Sequence, residues 1–466
     1  MKKLTTIKIN NPIFFITPNP IYAIGLEKAV QNYFVICSQK ADVVSYFKEN
    51  NVTVLCLDNN EIKNAGKILM NKKVIEYIKE KSKNQKANII SFKPSPMIQK
   101  ICDDNEFNYL GNSWKLSRDL EDKIKFIKIA EKLKIPNAES GVIKLDENKC
   151  SLDFSKKNKF VIQLPRGFSG NATFLIKSKT DFAEILKKYK NRKAKLSKYL
   201  EGETYTINAC VTKNKILVSQ PIFQITGLSA YNKNKFGTCG NDYVYPKKLK
   251  KEQRKKIFDY TKKVGDYIKS LNYKGIFGLD FVVGDNKREE AELPIGSSAS
   301  GSINLIEINP RIIGSMSLFT KLQIQNKEVP FLLSHILEFM SFKSREQACL
   351  FSTCDELKFF NASQLILRNT RNNPIKITKS LKSGIYEIKK NRLVFKGEAY
   401  CSNRRLNKTE FLIQCSLKGR VVSPDIEYAN VQVNYGIMES EKEFKSCFEK
   451  KIKIILENIK YSISKI

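Results

Sequence analysis

Residues 303–311 read INLIEINPR and residues 275–283 read GIFGLDFVV, so two apolar runs, 303–308 and 275–283, each carry one carboxylate. Both runs are rich in β-branched and aromatic residues, which favours strands. A buried strand rarely carries a carboxylate unless a partner compensates its charge. The pattern therefore predicts neighbouring strands that present Asp280, Glu307 and Asn309 to one shared cation.

The cation expected at this site is magnesium. Mg²⁺ takes oxygen ligands, commonly one or two carboxylates together with the phosphates of a nucleotide, and Mn²⁺ accepts similar ligands. Arg311 follows the second run and offers a planar fork of donors that can reach the same phosphates. For each carboxylate alone, an ordinary ion pair with a lysine is the alternative. The spacing of the whole set favours the metal site.

Length and charge exclude several classes of protein. The chain has 466 residues, which is enough for about three domains. Its formal net charge is +35, but the lysines are spread over the whole chain, so specific nucleic-acid binding is not expected. No apolar stretch is long enough to span a bilayer, and the N-terminus does not resemble a signal peptide. These features predict a cytoplasmic protein with no membrane partner.

The cysteines and the single histidine suggest no catalytic chemistry. Eleven cysteines are scattered without a C-x-x-C pair, which argues against a zinc site and favours reduced thiols. A Ser-His or Cys-His catalytic pair would need His335, which lies in an apolar, helix-like run. We therefore expect His335 to be a packed side chain.

The pattern of strands and helices predicts three domains. Strands and helices alternate over residues 1–116, which indicates a small parallel sheet without the glycine-rich fingerprint of a nicotinamide site. Residues 117–335 contain the two carboxylate runs. Residues 336–466 show short strands and then a helix over Ser440 to Ile463, which predicts a small α+β domain.

Three further features lie in the middle domain. A helix predicted over Ser117 to Leu133 places Lys123 near its start. Residues 160–176 predict a hairpin whose turn, Gly167 to Gly170, can direct backbone N–H groups and the Ser169 hydroxyl onto phosphate oxygens. An extended linker at 197–200 then offers a carbonyl and an N–H at fixed spacing, as an adenine edge requires.

Taken together, these features resemble the ATP-grasp superfamily. Lys123, the hairpin, the linker, Asp280 and the Glu-x-Asn-Pro-Arg run at 307–311 occur in the order of that family, over about residues 1–335. The resemblance implies an α/β ATP-grasp fold with an N-terminal small parallel-sheet domain and a C-terminal α+β domain. It implies catalytic roles for Lys123 and Arg311. The residues expected to bind the nucleotide are Lys123, Gln163, Arg166, Gly167, Ser169, Gly170, Lys198, Tyr199, Leu200 and Glu203.

Two positions depart from the pattern of the family. Its second phosphate lysine, expected 40 residues after Lys123, falls at Gln163, and the glutamate that opens the adenine linker falls at Ser197. Glutamine can donate a hydrogen bond to a phosphate oxygen but supplies no charge. Arg166 is then the candidate for the missing cation, and weakened ATP binding is the alternative.

The resemblance implies an ATP-dependent ligase that forms C–N bonds. Members of the family phosphorylate a carboxylate, and an amine or another nucleophile attacks the acyl phosphate, with release of ADP and phosphate. The cofactors implied are ATP and Mg²⁺, with Mn²⁺ as a substitute, and the partners are a small-molecule carboxylate and an amine. A homodimer is compatible with this prediction. A biotin carboxylase-like enzyme that activates bicarbonate and a non-catalytic nucleotide-binding module are the open alternatives.

Overall fold

Five parallel strands form the first sheet, in the spatial order β3-β2-β1-β4-β5. The computed structural model describes residues 11–464 except 28, 147–151, 155–157, 168–169, 171, 285–301, 341–357 and 400–404. The strands are β1 (Ile13–Thr17), β2 (Tyr33–Cys37), β3 (Thr53–Cys56), β4 (Asn88–Ser91) and β5 (Asn108–Tyr109). Alternate residues of β1 enter two different apolar cores, so both faces of the sheet are covered. The parallel sheet predicted for the N-terminal region is confirmed.

Four helices connect these strands, and two more lead into the middle region. The helices are α1 (Val43–Glu49), α2 (Ala65–Leu69), α3 (Lys72–Ser82), α4 (Pro96–Asp104), α5 (Trp114–Glu121) and α6 (Lys123–Lys132). The single helix predicted over Ser117 to Leu133 is wrong, because the chain breaks at Asp122. The extended backbone of Asp122 ends α5, and its carboxylate caps α6 by accepting from the N–H groups of Ile124 and Lys125.

A small antiparallel sheet follows, in the order β6-β9-β7-β8. It consists of β6 (Ser140–Lys144), β7 (Phe160–Gln163), β8 (Thr173–Ile176) and β9 (Lys193–Lys198), and α7 (Lys179–Lys188) follows β8. Ile162 and Ala194 on its inner strands pack with Phe182 and Leu186 of α7 in a core of their own. The hairpin predicted over 160–176 is therefore formed by β7 and β8.

The largest sheet contains the two carboxylate runs at one end. Its strands in the middle region are β10 (Glu203–Val211), β11 (Ile216–Val218), β12 (Ile222–Thr226), β13 (Thr238–Asp242), β14 (Gly275–Val283) and β15 (Ile303–Asn309). The helices of this region are α8 (Lys251–Ser270), α9 (Met316–Gln325) and α10 (Phe331–Phe339). The spatial order of the strands is β15-β14-β10-β12-β13, so the two carboxylate strands, β14 and β15, lie at one edge of the sheet.

The same sheet continues into the C-terminal region, because β13 pairs with β16. The C-terminal elements are β16 (Ser363–Arg368), β17 (Ile375–Lys379), β18 (Gly384–Lys389), β19 (Arg392–Glu398), β20 (Glu410–Cys415), β21 (Val421–Val422), β22 (Glu427–Val433), α11 (Ser446–Glu457) and β23 (Lys460–Ile463). The helix predicted over Ser440 to Ile463 is too long, since its last residues form β23 and pair with β17. The domain boundaries at 116/117 and 335/336 stay predictions.

His335 is a buried side chain that joins two regions of the fold. Its Nδ1 accepts from the Ile276 N–H at the start of β14, and its Nε2 lies 3.0 Å from the Leu110 carbonyl beyond β5. With Nδ1 accepting, the proton lies on Nε2 and is donated to Leu110. Burial lowers the pKa of His335 to about 4. The packed role expected from the sequence is therefore the observed one. Within the described ranges, no helix is both long enough and apolar enough to span a membrane.

Candidate functional site

Asp280 and Glu307 lie side by side on neighbouring strands. The antiparallel register of β14 and β15 places Asp280 opposite Glu307, and that of β10 and β14 places Thr206 opposite Asp280. Cross-strand partners on one face of a sheet are close enough to interact directly. The Thr206 hydroxyl and the Gln224 amide both donate to Asp280, the latter at 3.2 Å. The sequence did not indicate Thr206 or Gln224, since both are polar residues on ordinary strands.

The two carboxylates differ in pKa, and within the described residues only Glu307 forms a salt bridge. Burial and the nearby Glu307 carboxylate raise the pKa of Asp280 well above its usual value. Burial acts on Glu307 in the same direction, but the Lys123 ammonium, 3.0 Å away, together with the hydrogen bond to Asp280 and the charge of Arg311, holds the pKa of Glu307 below its usual value. Ionisation of both groups at neutral pH therefore requires additional positive charge at the pair.

Lys123 reaches the carboxylates from the first turn of α6. Its side chain is 5% exposed, and burial alone would lower its pKa. The attraction and hydrogen bond of the Glu307 carboxylate, together with the attraction of Glu121, outweigh this effect, so the pKa of Lys123 is raised. The break in the helix at Asp122 sets this position, because it places Lys123 at the first residue of α6.

Asn309 and Arg311 complete the cluster. The Asn309 amide nitrogen donates to Asp280 at 3.0 Å and to Glu307 at 3.2 Å, while its oxygen accepts from Arg311 at 2.8 Å. Arg311 also donates to Glu121 at 3.4 Å, and the other oxygen of Glu121 accepts from Lys93. Glu121 is buried on α5 and orients the guanidinium group, a role that its place in a helix does not reveal in the sequence.

The donor set of this cluster fits a single magnesium ion. Asp280 and Glu307 present oxygens that converge on the same Asn309 amide, and the raised pKa of Asp280 indicates a need for positive charge. Magnesium is commonly held by one or two carboxylates, with phosphate and water oxygens completing its shell. Within the described residues there is no group of three or more His, Cys, Asp or Glu side chains that could hold a metal ion.

The glycine hairpin touches the start of α6. The Lys123 N–H donates to the Pro165 carbonyl at 3.1 Å, which holds the turn beside the cluster. Gly170 has a φ of +79°, a backbone conformation that other residues rarely adopt. A Cβ at Gly167 would lie 2.1 Å from the Ala172 Cβ, so the turn closes tightly only with glycine there.

The other predicted phosphate contacts of the hairpin have different positions. Gln163 is buried on β7, where its amide donates to the Thr173 hydroxyl at 3.3 Å. Arg166 is exposed and lines the cavity described below, as does Gly170. Ser169 lies outside the described residues. No cation is therefore contributed at position 163 itself.

The linker after β9 has both used and unused backbone donors. The Lys198 N–H donates to the Glu139 carbonyl at 3.1 Å, and the Tyr199 N–H donates to the Lys159 carbonyl at 2.9 Å. Across the described ranges, no group accepts from the Leu200 N–H. Of the donors expected to meet an adenine edge, the one at Leu200 is therefore the candidate.

Glu203 lies just beyond the linker, at the start of β10. Its carboxylate accepts from the Tyr205 hydroxyl and, at 2.6 Å, from the Tyr245 hydroxyl. Both tyrosines have raised pKa values, because burial and the Glu203 carboxylate disfavour their ionised forms. Since β10 also carries Thr206, the linker leads directly into the strand beside Asp280.

A cavity of about 720 Å³ opens at the carboxylate cluster. Its wall includes Asp280, Glu307, Asn309 and Arg311 together with residues of the N-terminal sheet and of the C-terminal strands. Seven basic side chains line it, against four acidic ones. The basic residues are Lys63, Lys93, Arg118, Arg166, Arg311, Arg368 and Arg420. Because two of the four carboxylates form the candidate metal pair, the rest of the cavity has the charge to hold an anion.

Comparison with known proteins identifies the middle region of the chain. A family model described as the ATP-grasp domain matches residues 120–315. No curated protein sequence matches the chain. The matched segment begins at the end of α5 and ends after Arg311, so it contains Lys123, the small sheet and both carboxylate strands.

Several solved structures share the fold over nearly the whole chain. One is the biotin carboxylase domain of 2-oxoglutarate carboxylase from Hydrogenobacter thermophilus, with 13% identity, a TM-score of 0.59 and coverage of 98% of this chain and 91% of that one. Biotin carboxylase from Campylobacter jejuni is 12% identical, with a TM-score of 0.60 and coverage of 97% of this chain and 92% of that one. N5-carboxyaminoimidazole ribonucleotide synthetase from Thermotoga maritima is 12% identical, with a TM-score of 0.53 and coverage of 97% of this chain and 100% of that one. At such identities the likeness concerns the fold, and it confirms the predicted α/β ATP-grasp architecture.

Proposed function

We propose that this chain is an ATP-dependent ligase that joins a carboxylate to an amine, because residues 120–315 match the ATP-grasp domain. The observation that carries the proposal is the in-register pair of Asp280 and Glu307 beside Lys123, in the wall of a cavity rich in basic residues. Some of the similar structures contain nucleotides: the Hydrogenobacter domain is a complex with MgADP and bicarbonate. ATP and Mg²⁺ are accordingly the cofactors proposed here.

The reaction begins with transfer of the γ-phosphoryl group to the carboxylate substrate. A carboxylate is a poor acyl donor because its oxygen is a bad leaving group, and phosphorylation converts it into a mixed anhydride. This transfer depends mainly on positioning and on neutralisation of charge. Mg²⁺ held by Asp280 and Glu307, with the Asn309 amide turned so that its oxygen leaves Arg311 and faces the ion, would neutralise charge on the β- and γ-phosphates. Lys123 and Arg311 supply further positive charge at the same place, and the amine then attacks the acyl carbon.

The cavity provides the acceptor side in this proposal. Arg368 and Arg420 lie on its C-terminal wall, near the half-buried Glu427. The Glu427 carboxylate also accepts from the Tyr22 hydroxyl at 3.2 Å. Residues from the N-terminal and C-terminal regions therefore meet in one space, where basic groups favour an anionic substrate and the acidic group favours an amine.

The nucleotide products test the proposed reaction. We expect ADP and phosphate in equal amounts, formed when both a carboxylate and an amine are supplied, or when hydroxylamine traps the acyl phosphate. Pools of amino acids and small carboxylic acids serve as substrates, and chromatography separates the nucleotides. Accumulation of AMP in place of ADP would overturn the mechanism, because the cations in the cluster serve the β/γ end of the nucleotide.

Two alternative functions have their own outcomes in this assay. Bicarbonate-dependent ADP release without any other carboxylate would indicate a carboxylase-like enzyme. Nucleotide binding without ADP release in any pool would indicate a non-catalytic module, which the neutral Gln163 favours. An enzyme is preferred over the module because the metal residues Asp280, Glu307 and Asn309 are all present and brought together.

Two further proposals concern location and assembly. We propose a cytoplasmic enzyme, which fits the use of ATP. A homodimer is proposed because the Hydrogenobacter domain is described as a dimer. Light scattering of the purified chain measures its mass directly, and a monomeric value would contradict the dimer.

A further inference from the structure

Lys195 is a buried lysine without a described anionic partner. It lies on β9, and its side chain is among the largest that are fully buried, with 2% exposure. Its neighbours Lys193 and Ala194 differ in environment, since Lys193 is exposed and Ala194 faces the core of the small sheet. Within the described ranges, Lys195 forms no salt bridge and no side-chain hydrogen bond. A buried ammonium group in this condition is costly unless something else supplies negative charge.

The register of the small sheet connects Lys195 with the departure at Gln163. β7 and β9 are antiparallel neighbours, and Gln163 is the direct cross-strand partner of Lys195. Such partners present their side chains on the same face of a sheet, close to each other. The lysine missing from position 163 is therefore present on the adjacent strand, at the position that faces it.

Lys195 lies close to Lys123 and Glu307, at the phosphate end of the proposed nucleotide site. Its ammonium lies 4.7 Å from the centre of the Phe126 ring, and Phe126 follows Lys123 by one turn of α6. Burial and the Lys123 ammonium lower the pKa of Lys195 to about 8, while the Glu307 carboxylate acts in the opposite direction. Lys195 is thus within electrostatic reach of both members of the Lys123–Glu307 pair.

We propose that Lys195 is the second phosphate-binding cation of this chain and replaces the lysine absent at Gln163. The proposal rests on the proposed ATP-dependent function and adds a specific residue to it. In this arrangement the phosphates lie between Lys123 on α6 and Lys195 on β9, and they supply the negative charge that Lys195 lacks. Gln163 then contributes a neutral hydrogen bond beside the charge.

A purely structural role for Lys195 makes a different prediction. If the ammonium served only to pack on Phe126, an apolar side chain of similar length would preserve or improve the fold and leave nucleotide binding unaffected. A phosphate-binding role predicts instead that the same replacement leaves the fold intact and selectively weakens the binding of phosphorylated ligands. The two roles are separated by measuring binding and unfolding on the same variants.

The experiment is calorimetric titration of the full chain with Mg²⁺ and a non-hydrolysable ATP analogue, and separately with adenosine. We expect Lys195→Met to bind the analogue about 10- to 100-fold more weakly, as for a lost charged hydrogen bond, and to bind adenosine as the wild type does. The melting temperature without nucleotide should be unchanged or higher. Lys193→Met, on the same strand and exposed, is the matched control and should bind both ligands normally.

A second variant keeps the test valid if Lys195→Met folds poorly. The exchange Gln163→Lys with Lys195→Gln retains one lysine and one glutamine in the same cross-strand pair. Restored binding of the analogue in this double variant, relative to Lys195→Gln alone, supports the proposal.

Three results would overturn the proposal. Unchanged affinity of Lys195→Met for the analogue would assign the lysine to packing. An equal loss for adenosine and for the analogue would mean that the variant disturbs the base end of the site. If the wild-type chain binds no nucleotide, the proposed function fails and this inference fails with it. If the wild type binds the analogue and the Lys195 variants bind it equally well, the inference about Lys195 fails while the proposed function stands.

Discussion

The carboxylate strands at the edge of the large sheet differ from the small sheet in how their charged groups are satisfied. On β14 and β15 each charged group has partners within the protein: Asp280 accepts from Thr206, Gln224 and Asn309, and Glu307 pairs with Lys123. On the small sheet, Lys195 is buried without an anionic partner in the described residues. The carboxylates are held in place by the protein and lack only a cation, whereas Lys195 has no such contacts and lacks an anion.

This difference indicates how the two sides contribute to binding. A satisfied cluster holds its geometry before the ligand arrives, which lowers the cost of organising the transition state. A buried cation without a partner lowers the stability of the free protein, and phosphate binding restores that stability. We therefore expect substitutions on β14 and β15 to affect turnover most, and substitutions on the small sheet to affect nucleotide affinity.

The largest effect is expected for Glu307→Gln. This change removes one charge of the proposed metal pair and the partner of Lys123, so several kcal/mol of transition-state stabilisation should be lost. Turnover should fall by about a hundredfold or more, as measured by ADP release. Glu398→Gln, on the exposed strand β19, is the matched control and should retain full activity. Wild-type rates in Glu307→Gln would refute the metal assignment.

The same contrast separates what the sequence could predict from what it could not. Both carboxylate strands were predicted almost to the residue, because an acidic group in an apolar run is a strong local signal. The interruption at Asp122 was not predicted, since helical periodicity continues across it from α5 to α6. The final strand β23 was assigned to a helix for a similar reason: its partner β17 is distant in the chain.

For the candidate site, the sequence predicted which residues take part. It could not predict that a lysine absent from one strand has a counterpart on the neighbouring strand. The loss of a lysine at Gln163 is visible in the sequence, and so is Lys195. Their relation depends on the order β6-β9-β7-β8, which places strands distant in sequence side by side. Glu121 escaped prediction in the same way, because its partners Lys93 and Arg311 come from other regions of the chain.

The second prediction concerns the pH dependence of stability, and it tests whether neutral His335 supports the start of β14. The pKa of His335 is about 4 in the folded chain, below its ordinary value of 6.5, so the unfolded state binds more protons between these values. Stability is therefore lost as pH falls from about 6.5 towards 4, by about 3 kcal/mol in total and about 2 kcal/mol between pH 7.5 and 5. Chemical denaturation at the two pH values measures this loss.

His335→Gln provides the comparison for this measurement. The variant should be less stable than the wild type at pH 7.5, because the bonds to Ile276 and Leu110 are altered. Its loss of stability between pH 7.5 and 5 should be smaller than that of the wild type by about 2 kcal/mol. Parallel pH profiles for the two proteins would show that His335 does not determine the acid sensitivity of this side.

A smaller effect is expected for Glu121→Gln. The change weakens the orientation of Arg311 but leaves the metal residues in place, so turnover should fall by about tenfold with little change in the KM for ATP. Asp119→Asn on the same helix is the control, since Asp119 is an exposed residue paired with Lys125. A rise in KM without a fall in kcat would assign Glu121 to nucleotide binding instead of to the positioning of Arg311.

The smallest effect is expected for Arg166→Ala, which tests the other candidate for the cation missing at Gln163. Arg166 is exposed on the hairpin and lines the cavity, so solvent and salt screen its attraction for phosphate. We expect its loss to weaken binding of a non-hydrolysable ATP analogue by about threefold, well below the effect of Lys195→Met. Lys177→Ala, at an exposed position just beyond β8, should leave the affinity unchanged.

Salt dependence sharpens this last comparison. The contribution of an exposed arginine should shrink as ionic strength rises, so Arg166→Ala and the wild type should converge in affinity at high salt. The contribution of buried Lys195 should persist, because a pair formed in a buried site is screened much less. A larger loss for Arg166→Ala than for Lys195→Met at every salt concentration would move the missing cation to the hairpin. Equal affinities of Arg166→Ala and Lys177→Ala would make Arg166 a solvated loop residue and leave Lys195 as the cation on this side of the site.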